Sequence, residues 1–174
     1  AKPDAVLIVA AGSAGAMPQI NLRDRGWNGP IYQTHGAASP DLLRVGGKAM
    51  HGTVLPAGPM LVAEQLAANS PVKAPALAYV GAYEAKHGAL SRTEFGAHAY
   101  DALLVLQRIV PLALKKAKPG TPEFRAALRE ALEKEKDIAV SHGVLNYTLN
   151  DHNGFDQRGA VMLRVTDGRF ELLP

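Results

Sequence analysis

Apolar positions fall into short continuous runs early in the chain, into helical stripes in its middle and into strict alternation at its end. Val6 to Val9 is a continuous apolar run that stops at Ala10-Ala11-Gly12-Ser13, after which Ser13 can N-cap a helix reaching Arg25, with Gly26 as its stop. Gly29-Pro30 then opens Ile31 to Thr34, the small residues Gly36 to Ala38 follow, and Ser39-Pro40-Asp41 starts a short helix through Val45. A third strand, Thr53-Val54-Leu55, ends at Pro56. Apolar strands alternating with helices predict an α/β fold whose parallel βα units form a sheet covered on both faces, with ligands beyond the strands' carboxyl ends. The turns at Ala11 to Ala14 and His35 to Ser39 are then neighbours.

From Pro56 to Pro75 the prolines at 56, 59, 71 and 75, with Gly58 and Asn69-Ser70, mark a connection or hinge between layers. Helical patterns follow over Pro75 to His87, Gly96 to Lys118 and Thr121 to Lys134, with Pro111 expected to kink or break the middle one. In the last, Phe124, Ala127, Leu128, Ala131 and Leu132 form one packing stripe, Thr121 is the cap and Pro122 opens the first turn. The period then changes. Val161, Leu163 and Val165 alternate with Met162, Arg164 and Thr166, and Asp167-Gly168 supplies a two-residue turn before Arg169 to Leu172. That hairpin places Val165 opposite Phe170, Leu163 opposite Leu172, and Arg164 opposite Glu171 as a cross-strand ion pair.

Composition narrows the function classes. The 174 residues are 47% hydrophobic and 20% charged, which fits a globular chain with a core. A net charge of +3 from scattered residues is too small to argue for a nucleic-acid partner. No apolar run approaches the roughly 18 residues that cross a bilayer. Cysteine is absent, which excludes disulfides, thiolate nucleophiles and cysteine metal sites.

Ala11-Gly12-Ser13-Ala14-Gly15 is close to a small-x-Ser-x-Gly nucleophile elbow, so a serine hydrolase using Ser13 with a downstream Asp and His142 or His152 is one alternative. Such an elbow needs preceding strands, one supplying oxyanion donors, and only twelve residues precede Ser13. The plainer alternative is a glycine-tight βα turn whose free amides can hold an anion or a polar ligand atom. His35 ends a strand and should face the same crevice. His142, His152, Asp151 and Asp156 are metal-ligand types, but Asp151-His152-Asn153-Gly154 is turn chemistry without the paired spacing of a helical metal site, and no metal or cofactor is expected.

Taken in order, several segments resemble the type I periplasmic substrate-binding proteins of branched-chain amino acid ABC transporters. They are Lys2-Pro3-Asp4-Ala5-Val6, Gly29-Pro30-Ile31-Tyr32, Ser39-Pro40-Asp41-Leu42, Gly52-Thr53-Val54, His98-Ala99-Tyr100-Asp101-Ala102, Gly120 to Leu128, His142-Gly143-Val144 and Asp151 to Asp156. The resemblance implies the C-terminal half of a two-lobed receptor and hence a partial type I fold: parallel βα units, a helical segment and a C-terminal hairpin. On that plan residues 1–56 are βα units of the second lobe and 57–74 a crossing segment. Residues 75–140 are helices of the first lobe, and 141–174 a crossing segment with the closing hairpin.

The resemblance also implies ligand contacts at Ala11, Gly12, Ser13, Ala14, His35 and Phe95, no catalysis, a periplasmic location and a membrane permease as partner. In the amino-acid binders an aromatic residue stands where this chain has Ala11, and an ammonium-holding acid where it has His35. An ammonium buried without a carboxylate costs several kcal/mol. The expected ligand is therefore a small organic acid, aromatic or branched aliphatic, or an amino-acid-like molecule, with an α-amino acid itself disfavoured. Alone, the chain is expected to bind weakly and to self-associate; an inert proteolytic fragment is the remaining alternative.

Overall fold

A computed structural model describes residues 2–174. Its main sheet has the order β1-β2-β3-β6-β7, formed by Val6–Ile8 (β1), Ile31–Gln33 (β2), Val54–Ala57 (β3), Val161–Thr166 (β6) and Arg169–Leu172 (β7). β1, β2 and β3 run parallel, and β6 joins β3 antiparallel, so the C-terminal hairpin extends the sheet laid down by the first 57 residues. Between the parallel strands lie α1 (Ala16–Asp24) and α2 (Pro40–Gly46). Then come α3 (Lys73–His87), α4 (Glu94–Leu114), α5 (Pro122–Lys134) and a separate antiparallel pair, β4 (Ile138–Val140) with β5 (Gly143–Leu145).

Side-chain alternation divides the main sheet into two unlike faces. Leu55, Leu163 and Val165 point inward to a core shared with Ala16, Leu42, Met50, Met60 and Val62, which also takes in Tyr79, Val80 and Ala97 from α3 and α4, and Ile8 and Ile31 are buried on the same face of the sheet. On the other face Leu7 pairs with Tyr32, Tyr32 with Val54 and Val54 with Arg164. Leu7 is 62% exposed there, Tyr32 42% and Met162 45%. The expectation of a sheet covered on both faces therefore fails: this face carries no cover among the described residues. A second cluster joins Ile138, Val140 and Leu145 to Leu104, Val105, Tyr147 and Phe155, fastening β4 and β5 to α4.

Turn chemistry sets most boundaries. α1 stops as expected at Gly26, whose φ of 85° accompanies bonds from Gly26 N to Arg23 O and from Trp27 N to Leu22 O, the double closure of a Schellman motif. Ser39, Thr93 and Thr121 cap α2, α4 and α5, each hydroxyl accepting an amide of the first turn. The hairpin has the expected register, with Asp167 and Gly168 both at positive φ.

Other expectations are corrected. Ser13 does not cap a helix, because Gly12–Gly15 form a 3₁₀ turn and the α-helix begins only at Ala16. α4 begins at Glu94 under its Thr93 cap, earlier than the apolar pattern suggested, and ends at Leu114. Pro111 does not break it: proline leaves the exposed Gln107 carbonyl without its helical donor, a place water can fill. Arg164 and Glu171 are directly opposite but form no ion pair, since the Glu171 carboxylate accepts the Thr166 hydroxyl at 2.8 Å.

Candidate functional site

At the carboxyl ends of β1 and β2 the two early turns meet. Thr34 N donates to Ile8 O at 3.2 Å, the Thr34 hydroxyl donates to Ala10 O at 3.0 Å, and a Cβ on Gly36 would stand 3.2 Å from Ala10 O and 3.5 Å from the Ala11 Cβ. Ala11, Ser13 and Ala14 are exposed beside this junction, with Gly12 half-buried at a φ of 54°. The turn is anchored from below. Gln33, buried on β2, donates to Gly15 O at 3.1 Å and to Gln19 Oε1 at 2.8 Å, and Gln19 in turn donates to Thr53 Oγ1 at 2.5 Å and Ala49 O at 2.7 Å.

His35 stands at the start of the second turn and contacts a different part of the chain. Its Nε2 lies 3.0 Å from Glu94 Oε1, and that same oxygen accepts the Gly58 amide at 2.6 Å. Glu94, buried at the first turn of α4, thus ties the β2 turn to the segment leaving β3. The hydrogen bond to Glu94 raises the His35 pKa above the ordinary imidazole value, outweighing burial, which acts in the opposite direction. Phe95, the next residue, is 76% exposed.

One and two turns further along α4 stand His98 and Asp101. Asp101 is buried and accepts from Ser141 N at 2.7 Å and His142 N at 3.1 Å, while the His142 Nδ1 lies 3.0 Å away. Burial opposes the Asp101 carboxylate, yet the hydrogen bonds from His142 and Ser141 outweigh it and hold its pKa below the usual carboxyl value. The His142 Nε2 is buried without a partner and packs against Gly58. His98 stacks on the His142 ring at 3.8 Å and 11°, and burial, with the neighbouring His142, lowers its pKa.

Although His98, Asp101 and His142 bring one ligand-type atom each within 4.8 Å of one another, stacked rings direct their in-plane lone pairs side by side and not toward a common point. We assign no metal to them. His152 pairs with Glu133 at 3.2 Å, Asp151 accepts the turn amides of Asn153 and Gly154, and Asp156 pairs with Arg158, which is the turn chemistry anticipated for that segment. Among the described residues the Ser13 hydroxyl has no histidine partner. The Ser141 hydroxyl and Asp101 both approach the same His142 nitrogen, Nδ1, whereas a nucleophile-activating histidine uses one nitrogen for each. Neither arrangement activates a serine.

The sequence model of the periplasmic binding protein family matches residues 1–169. The chain belongs to the periplasmic binding protein family. Its fold is part of the type I periplasmic-binding-protein architecture. The Rp1789 protein of Rhodopseudomonas palustris (strain CGA009) is 49% identical to it, with a TM-score of 0.93 over 99% of this chain and 48% of that one. An extracellular ligand-binding receptor from Rhodopseudomonas palustris HaA2 is 48% identical, again with a TM-score of 0.93 over 99% of this chain and 48% of that one. The leucine binding protein LivK of Thermotoga maritima, at 24% identity and a TM-score of 0.73 over 99% of this chain and 44% of that one, shares the fold. This chain of the periplasmic binding protein family spans about half the length of these relatives. No curated protein matches it.

Of the residues singled out from sequence, Ala11, Gly12, Ser13, Ala14 and His35 are brought to one junction, and Phe95 adjoins the glutamate bonded to His35. Glu94, Gly58 and the Asp101–His142 pair were missed. From sequence alone Glu94 reads as an ordinary acid favouring a helix N-terminus.

Proposed function

We propose that the chain is one half of a solute receptor of an ABC transporter, working in the periplasm and delivering a small organic acid, aromatic or branched aliphatic, to a membrane permease. Family membership and the convergence of two βα turns beside His35 support this reading. In it, the exposed turn at Ala11 to Ala14 offers amides and the Ser13 hydroxyl, His35 selects the ligand's polar group and Phe95 covers its apolar body. The chain's first 56 residues and its hairpin belong to the second lobe, 75–140 to helices of the first, and the segments at 57–74 and from 141 cross between them. Closure of two lobes buries the ligand, which stabilises the closed form only through its greater affinity for it.

The observation that carries the reading is the junction itself, placed beyond the carboxyl ends of parallel strands, where α/β folds take ligands. The uncovered sheet face, together with the span of half a relative's length, supports a half-cleft of weak affinity. Adding millimolar benzoate or isovalerate to the isotope-labelled chain is expected to shift the amide resonances of Ala11 to Ala14, His35 and Phe95, and to do so more than leucine does. Leucine preference, or unmoved resonances at all of these positions, sinks the proposal. Tight uptake by the chain alone in calorimetry contradicts the half-cleft.

A further inference from the structure

We infer that Glu94 is a positioning residue for ligand selection: reaching from α4 to the turn after β2, it fixes the His35 ring so that the free Nδ1 edge serves as a cationic donor to an anionic head group. The inference rests on the receptor reading above and names the residue that would decide its charge preference.

Glu94 is buried, and a buried carboxylate needs donors or a counter-charge. Its Oε1 has two partners, the Gly58 amide at 2.6 Å and the His35 Nε2 at 3.0 Å, and the imidazole is the one of the two that can carry charge. With Nε2 committed to Glu94, the ring keeps only Nδ1 for anything else. That atom has no hydrogen-bond partner among the described residues, and the His35 side chain is 52% exposed. The neutral ring would present Nδ1 as an acceptor, whereas the ring protonated against Glu94 presents an N–H.

The surroundings favour the second state. Ala11 to Gly15, the turn packed beside His35, carries no charged side chain, and neither does Gly58. On α4 the facing groups are Glu94 and, one turn on, His98, with the Asp101–His142 pair beyond it. His98 is pushed toward neutrality by burial and by His142, so it does not compete for Glu94. The upward titration of His35 agrees with the geometry. Glu94 does bring a carboxylate beside the turn, but its Oε1 is occupied by His35 and Gly58. An α-ammonium approaching the turn would meet a cation, and a carboxylate would meet a donor.

Imidazole NMR of the full chain tests this. The His35 ring is expected to titrate above an ordinary histidine, to fall back toward the ordinary value in Glu94→Gln, which keeps an oxygen for the Gly58 amide, and to recover in part in Glu94→Asp. Benzoate is expected to shift the His35 resonance more strongly at pH 6 than at pH 8, its affinity falling by up to about tenfold per pH unit once the ring deprotonates. His35→Gln, a change at an exposed side chain that leaves the core untouched, should abolish that pH dependence. The inference is overturned if His35 titrates alike with and without the Glu94 carboxylate, if benzoate leaves its resonance unmoved, or if leucine shifts it at lower concentration than benzoate. If His35 titrates alike with and without the Glu94 carboxylate while benzoate still moves Ala11 to Ala14 and Phe95, this inference fails and the receptor reading stands; if benzoate moves none of these positions, both fail.

Discussion

At the scale of single residues, Gly58 has no room for a side chain. A Cβ there would lie 2.2 Å from the His142 Cδ2 and 3.0 Å from Glu94 Oε1, and His142 is buried and held by Asp101, so it cannot swing away. Gly58→Ala should destabilise the chain by about 1–3 kcal/mol, the usual cost of overpacking, and urea unfolding would read it. Gln33 makes the complementary point. Gln33→Ala would leave the Gly15 carbonyl and the Gln19 Oε1 without their donor in a buried place, for about 1–3 kcal/mol. Faster amide exchange across Gly12 to Gln19 should accompany that loss, and unchanged exchange would show that the turn holds without its anchor. His35 and the glycine-tight turn were legible in the sequence because strand ends and small residues locate a crevice. Glu94 was not, since nothing local records that its carboxylate meets residues 36 and 59 positions away.

At the scale of elements, the first turn of α4 delivers Glu94, and Thr93 holds that turn through the Gly96 amide at 3.1 Å. Thr93→Ala should cost about 0.5–2 kcal/mol in thermal or urea unfolding. The variant should also weaken the response of His35 to Glu94, whereas Thr121→Ala on α5, of similar cost, should leave His35 alone. The β4–β5 turn depends on one carboxylate. Because the folded pKa of Asp101 is depressed, its contribution is present above the unfolded carboxyl value and is lost as pH falls through the folded one. Asp101→Asn should therefore flatten the fall in unfolding midpoint between neutral and acidic pH. His35 acts with the opposite sign: its pKa is raised, so its stabilisation is full below the ordinary imidazole value and is lost as pH rises through the folded one.

Elements written in a strong local code were read correctly. The hairpin register follows from alternation around Asp167-Gly168, and α5 from its Thr-Pro start and apolar stripe. β4 and β5, three residues each, were missed because so short an apolar run has no period of its own. Their pairing is stabilised by the packing of Ile138, Val140 and Leu145 against Leu104 and Val105.

Across the whole molecule, two apolar surfaces stand open. One is the sheet face bearing Leu7, Tyr32 and Met162; the other is a stripe along α4 through Phe95, Ala99, Leu103, Leu106 and Leu114, spaced at three to four residues and at twice that interval at its end. Uncovered patches of this kind rarely leave a chain monomeric. The chain alone should self-associate in sedimentation, and Leu103→Lys with Leu106→Lys should reduce the association without unfolding α4, whose opposite side, with Ala97 and Asp101, is the buried one. A monomer at all concentrations before substitution would remove this prediction.

The sequence by itself determined the local grammar: which runs become strands or helices, where caps and glycines stop them, and, through an ordered set of short motifs, the family. Those features depend on neighbours within a few residues, so they can be read along the chain. Only the tertiary structure decided that Glu94, Gly58, His35, Asp101 and His142 share one polar cluster, that Gln33 supports the first turn, and that one sheet face is bare. Each of these follows from packing between segments tens of residues apart, where the partner of a buried charge or amide is set by the fold and leaves no periodic trace.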